Sequence, residues 1–358
     1  MGVSAFDNSL LSGLFSDPDI AAEFSAEKTL DRYRDFEIAL TEALTAEGII
    51  SGDAAQVIDH ACRTLKPDVA AIAQATARNG VPVPDYVRQI REKIGPTHAK
   101  AFHTGTTSQD LVDTSLMLAL KSVNAIFGNR LDACLAALDA LSLDQGAAVI
   151  KGRTRMQFAL RITAADRVAT WRAPLQRDRG RLRSLAEDKA VLQFGGAVGT
   201  RHALGDKGAV IAERVAKALG LTNPPESWHS QRDRLADYAS WLSLVTGSLG
   251  KIGQDMCLMA QQGIDEIALS GGGSSSAMPH KQNPVGAELL VTLARFNAVQ
   301  LAGFHQSLIH EQERSGAAWM LEWMILPQMC VATGTALRTG LDLIQSIDRI
   351  GDDPENSP

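Results

Sequence analysis

The chain is short of cysteine, of aromatic rings and of any charge surplus, and each shortage closes a class of function. Its four cysteines, Cys62, Cys134, Cys257 and Cys330, are scattered, with no Cys-x-x-Cys and no Cys/His cluster. That spacing argues against a structural zinc site or a disulfide framework and fits a reducing compartment. Lys plus Arg number 35 against 41 Asp plus Glu, a formal charge of −6, so there is no basic footprint for nucleic acid or anionic lipid. Aromatics make up only 5% and β-branched runs are rare, which leaves little material for a sheet-based fold. The first residues lack the basic start and apolar run of a secretory signal. The longest charge-free apolar stretch, Trp323 to Leu337, has 15 residues and contains Pro327, too short to span a membrane. The expectation is a cytoplasmic globular protein that binds neither nucleic acid nor membrane.

What the chain has is length, 358 residues with 45% hydrophobic content, and helical periodicity. Apolar positions three and four apart predict shorter helices over about 30–47, 54–66 and 86–94. After His103 the runs lengthen: 111–143, 156–192 with a kink at Pro174, 234–262, 285 to about 313, and 319–348 with a break near Pro327. Rods of thirty-odd residues span roughly 45 Å and predict an all-α long bundle. The faces are rich in Ala, Gly and Ser, and wide apolar coverage lets a helix pack on more than one side. Either one thick bundle or an oligomer with a shared core fits that pattern, and the second is the expectation.

Three connectors carry more chemistry than connection needs. His103-Thr104-Gly105-Thr106-Thr107-Ser108-Gln109-Asp110 precedes a helix; Thr107 or Ser108 serves as an N-cap, yet hydroxyls and amides gathered at a helix start also hold an anion. Lys151-Gly152-Arg153-Thr154-Arg155-Met156-Gln157 is expected to open the next helix, where its cations oppose the helix dipole unless an anion sits among them. Gly271 to Pro284 begins as a Gly/Ser linker and ends in Met-Pro-His-Lys-Gln-Asn-Pro, where two prolines fix the backbone around a lysine and an asparagine. A flexible linker and a lid with a rigid base both fit.

The segment Ser275-Ser276-Ala277-Met278-Pro279-His280-Lys281-Gln282-Asn283-Pro284 resembles the SSxMPxKxNP signature of the fumarase/aspartase superfamily. His103 to Asp110 resembles the same superfamily's HxGxTSxD stretch, and Gly152-Arg153-Thr154 with Gln157 its GRTxxQ stretch. Trp228-His229-Ser230-Gln231-Arg232-Asp233-Arg234 is similar to a segment of its carboxymuconate-cycloisomerase and adenylosuccinate-lyase branches. The resemblance runs from about residue 15 to about 330. It implies a fumarase/aspartase-like fold whose central bundle is completed by tetramerisation, with each site shared among three subunits. It divides the chain into an N-terminal helical domain (1–103), a long-helix bundle domain (104–350) and a tail (351–358), in place of the C-terminal helical domain of most relatives.

The same resemblance implies the chemistry. Most branches carry His directly after the Thr of GRT; here Arg155 stands there, as in the cycloisomerase branch, whose leaving carboxylate needs no proton donor. The implied substrate is a small polycarboxylate, 3-carboxy-cis,cis-muconate or a 3-sulfo analogue, closed to a lactone in aromatic-acid breakdown. Ser275 corresponds to the catalytic serine, with Ser274 as the alternative if the loop register slips. Lys281 and Asn283 would hold the carboxylate that turns into the doubly charged aci form. Thr106, Thr107, Ser108, Thr154 and Gln157 would bind substrate carboxylates, with His103, Arg232 and Arg234 at the rim. Glu288, partner of the missing His in relatives, would pair with Arg155 across subunits. Neither metal nor cofactor is implied. The rival readings are a fumarate-releasing lyase of adenylosuccinate or argininosuccinate type, with His103 or His229 as the acid, and a non-catalytic helical oligomer.

Overall fold

A computed structural model describes residues 2–271, 273–274, 278 and 282–351, with the side chains of 186–189 and 274 left aside. The first part is a group of short helices: α1 (Ser12–Phe15), α2 (Pro18–Glu23), α3 (Ala26–Ala46), α4 (Gly52–Thr64), α5 (Val69–Asn79) and α6 (Val83–Ile94). Their starts follow from side-chain caps. Asp17, Ser25, Ser51 and Asp68 each accept an orphan backbone N–H from the first turn. Gly80 and Gly95 close α5 and α6 at positive φ, a conformation that costs glycine little.

The bundle is built from α7 (Ser108–Gln145), α8 (Ala164–Lys189), α10 (Asp233–Met259), α11 (Val285–His305) and α12 (Ala317–Gln345), with the shorter α9 (Gly208–Leu219) packed on α3. At 38 residues α7 is about 57 Å long. It buries Leu111, Val123, Phe127, Leu131 and Leu138 against its neighbours. The tightest pairing is α10 on α11. A Cβ on Gly250 would stand 2.5 Å from Ala294 Cβ, and one on Gly253 2.4 Å from the Ala287 carbonyl, so the two backbones meet only because these residues are glycine.

The all-α expectation holds, with differences in detail. Residues 149–163 form a hairpin where a helix start was expected: β1 (Val149–Thr154) pairs antiparallel with β2 (Gln157–Thr163), with a bulge between Gly152 and Arg153. Val149, Ile150, Ile162 and Thr163 are β-branched, which suits strands. Arg155 and Met156 make the turn, both at positive φ (49° and 67°), the left-handed pair that matches strand twist. The helix begins only at Ala164, capped by Thr163 and Asp166. Among the described residues two further short strand pairs form: β3 (Ile267–Leu269) with β6 (Ile347–Ile350), and β4 (Gly273–Ser274) with β5 (Gln282–Asn283). Pro327 does not break its helix, since α12 runs through it with Leu326, Met329 and Cys330 buried on either side; packing outweighs the one lost backbone bond. By length and composition α7 and α11 are apolar enough to cross a membrane; α7 lies mostly inside the protein, whereas most of α11 is open in a single chain.

Candidate active site

Asp110, at the third position of α7, gathers the first candidate segment. Its fully buried carboxylate accepts the Thr107 N–H (2.9 Å) and the Thr106 hydroxyl (3.0 Å) on Oδ2. It also accepts the Gly195 and Gly196 N–H groups (2.8 and 2.9 Å) and lies 2.8 Å from His229 Nε2. Thr106 therefore spends its hydroxyl hydrogen inside the protein. Thr107 does not: its Oγ1 accepts from Arg314 Nη1 at 2.7 Å, which leaves its own hydrogen to donate outward. Ser108 opens the helix beside it, half-buried, where first-turn amides have no intrahelical partner. Arg314 was not legible in the sequence, because it reaches Thr107 from 207 positions away.

His103 sits just before this segment at φ 63°. Its Nδ1 is 2.5 Å from Oε1 of the buried Glu37 on α3, so one ring nitrogen is tied to the N-terminal helices. Arg232 is a correction: it is not a rim residue. It is 1% exposed and donates to both oxygens of Asp113 (2.7 and 3.1 Å) and of Glu322 (2.8 and 2.5 Å), while its guanidinium lies 4.8 Å over the Trp228 ring. Trp319 Nε1 and Gln109 Nε2 also donate to Asp113. Burial works against the Arg232 charge, but the two carboxylates outweigh it and hold its pKa above the usual arginine value. Arg234 lines a separate small cavity with Met117 and Lys121.

The second segment is the β1–β2 hairpin. Thr154 and Gln157 face each other across the turn, and Thr154, Arg155 and Gln157 are all exposed. Arg153 is anchored at its base, 2.5 Å from the buried Glu266, which also accepts the Lys151 N–H (2.9 Å). The Arg153 guanidinium and the Lys151 backbone N–H thus tie the hairpin to Glu266, and Arg155 is displayed at its tip.

The third segment carries the ten-residue signature. Its arms pair as β4 and β5, Gly273 with Asn283 and Ser274 with Gln282; Ser275 and Lys281 lie outside the described residues. Asn283 is half-buried and lines a cavity of about 480 Å³ with Ser270, Gly271, Gly273, Thr339 and Asp342. Glu288 is exposed in the first turn of α11; its charge, after burial, raises the pKa of Cys257 on α10. Among the described residues, the cavity at Asn283 includes none of the Thr106–Ser108 segment or of the β1–β2 hairpin.

A long-helix bundle that carries this signature segment and the hydroxyl-rich start of α7 belongs to the lyase family, whose model matches residues 16–299. Within it the chain is 37% identical over 345 residues to 3-carboxy-cis,cis-muconate cycloisomerase of Bradyrhizobium diazoefficiens, covering 95% of this chain and 76% of the relative. It is 34% identical to the enzyme of the same name from Acinetobacter baylyi, covering 95% and 77%. The crystal structure of 3-carboxy-cis,cis-muconate lactonizing enzyme from Pseudomonas putida superposes with a TM-score of 0.90 at 35% identity, covering 96% of this chain and 77% of that one.

Proposed function

We propose that the protein is a 3-carboxy-cis,cis-muconate cycloisomerase, an intramolecular lyase that closes its substrate to 4-carboxymuconolactone in the breakdown of protocatechuate. The observation that carries this reading is likeness to enzymes of that name over 95% of the chain, with Arg155 where β-eliminating branches carry His. One substrate carboxylate oxygen adds to a double bond, and the resulting carbanion, stabilised as an aci-carboxylate, is protonated beside a second carboxylate. Ser275 gives that proton and its alkoxide takes it back in reverse, which a serine manages only in a strongly anion-stabilising loop. Lys281 and Asn283 hold the aci-carboxylate. The Thr107 hydroxyl, Ser108 and Gln157 hold the remaining carboxylates through charge-assisted hydrogen bonds, with Thr106 shaping the segment and Thr154 and His103 beside it. No metal is needed for this charge balance.

The site is completed by other copies of the chain in a homotetramer. Two open apolar surfaces support this: α11, with Val299 at 70% exposure, and the hairpin, with Met156, Phe158 and Leu160 at 72, 60 and 73%. A lone chain rarely leaves such patches uncovered. In that assembly Arg155 meets Glu288 of a neighbouring subunit. A 3-sulfo substrate fits the same donors, since a sulfonate also stays ionised.

An ultraviolet assay tests the reading. Addition of protein to 3-carboxy-cis,cis-muconate should bleach the diene absorbance; release of fumarate from adenylosuccinate or argininosuccinate would move the assignment to the β-eliminating branch.

A further inference from the structure

We infer that His229 is a positioning residue that holds the Thr106–Ser108 segment in its substrate-binding conformation by acting through Asp110; the substrate part of this claim rests on the proposed function above. Nothing in the signature motifs assigns His229 that role. It lies 119 positions from Asp110, in the turn before α10, and is 2% exposed.

An ionised carboxylate has about four lone-pair sites and accepts only. Four donors besides His229 reach Asp110: the Gly196 N–H, the Thr107 N–H and the Thr106 hydroxyl share Oδ2, while Oδ1 takes only the Gly195 N–H and keeps a lone pair for His229. All four of these groups donate to the carboxylate, and His229 Nε2, 2.8 Å from Oδ1, completes the set as a fifth donor. The other nitrogen, Nδ1, is then the acceptor, and it faces the Ser227 hydroxyl at 3.1 Å. Ser227 thereby holds the tautomer that His229 needs for Asp110.

The surroundings lock this chain of three. A Cβ on Gly195 would fall 2.4 Å from Ser227 Oγ, and Gly199 approaches the same hydroxyl and ring, so the 195–199 backbone closes over Ser227 and His229. His229 and the Gly195 amide hold Oδ1 of Asp110; Thr106 and Thr107 hang from Oδ2, where the Gly196 amide also donates. With the carboxylate immobile, the Thr107 hydroxyl points away from it and is met by Arg314. Without the imidazole, Asp110 turns, and the segment loses both its backbone anchor and its hydroxyl anchor together.

Two substitutions separate the hydrogen bond from the bulk of the ring. In His229→Gln the terminal amide nitrogen reaches about as far as Nε2 and donates to Asp110; in His229→Asn it falls short. Amide hydrogen exchange of segments 104–111 and 193–199 reports the anchor directly, and KM with 3-carboxy-cis,cis-muconate reports its use. The expected result is faster exchange of both segments in His229→Asn, with KM raised on the order of tenfold and kcat within a factor of three, and values near wild type in His229→Gln. Unchanged exchange in His229→Asn overturns the inference. So does His229→Gln exchanging as fast as His229→Asn, because the donor would then be irrelevant. Should His229→Asn fail to fold, Ser227→Ala, which frees the ring without removing it, carries the same comparison with faster exchange expected. If wild type does not turn over the muconate, the proposed function fails, and the exchange comparison still decides whether His229 holds the segment.

Discussion

Arg232 and Asp113 form a two-pronged ion pair sealed from solvent, Nη1 to Oδ2 at 2.7 Å and Nη2 to Oδ1 at 3.1 Å, with both side chains at most 1% exposed. Glu322 closes the other edge of the same guanidinium. The cluster joins the start of α10 to α7 and α12. Removing one member of such a group leaves the others buried and uncompensated. Arg232→Met should therefore lower stability by ~3–5 kcal/mol, read as a shift in the denaturation midpoint. Activity of the folded fraction close to wild type would agree with a structural role; a purely kinetic defect at full stability would not.

Much of the architecture is legible in periodicity alone. The apolar spacing of 234–262 marks α10, observed as Asp233–Met259, because one face of that helix is buried along its whole length. The hairpin is not legible, since its turn is Arg155-Met156 rather than the Asn-Gly or Asp-Gly that announces one. The signature segment is visible because its chemistry lies in ten consecutive residues. The roles of Asp110 and Arg314 are invisible because their partners, Gly195, Gly196, His229 and Thr107, come from 85 to 207 positions away. Arg232 misled for the same reason: an arginine in a functional-looking motif shows nothing of the two carboxylates that the fold brings to it.

Thr107 offers a sharper test of substrate binding. Its oxygen already accepts from Arg314, so the hydroxyl hydrogen is the group left for an anion. Thr107→Val should raise KM by about one to two powers of ten, the worth of a hydrogen bond to a charged group, while Thr107→Ser should stay near wild type. Equal KM values for the two variants would remove Thr107 from the substrate site.

The buried thiols set an alkaline limit on stability. Burial, helped by the charge of Asp342, pushes the Cys134 thiol up to about 12, and burial raises Cys62 and Cys330 as well. An unfolded chain releases these protons near pH 8.5 and the folded one does not. Stability is thus fully present below that pH and declines as pH rises through 9 to 12. Melting temperatures recorded from pH 7 to 11 should fall across that window, and Cys134→Ala should flatten the slope. At pH 8 a thiol reagent should label Cys62, Cys134 and Cys330 only after unfolding.

Arg155 stands exposed at the hairpin tip and Glu288 exposed on the first turn of α11. In the proposed tetramer they meet. Arg155→Glu and Glu288→Arg should each weaken assembly and activity, and the double swap should recover a large part of both. Sedimentation and turnover on the four proteins give the coupling, and additive losses would mean that the two residues do not touch.

The central claim is that a serine of the signature segment delivers the proton to carbon. Lactonisation of 3-carboxy-cis,cis-muconate in D₂O, followed by NMR for wild type and the Ser275→Ala and Ser274→Ala variants, tests it most directly. The account predicts one deuterium beside a carboxylate with wild type, turnover lost in Ser275→Ala and retained in Ser274→Ala. Full-rate lactone formation by Ser275→Ala would contradict it.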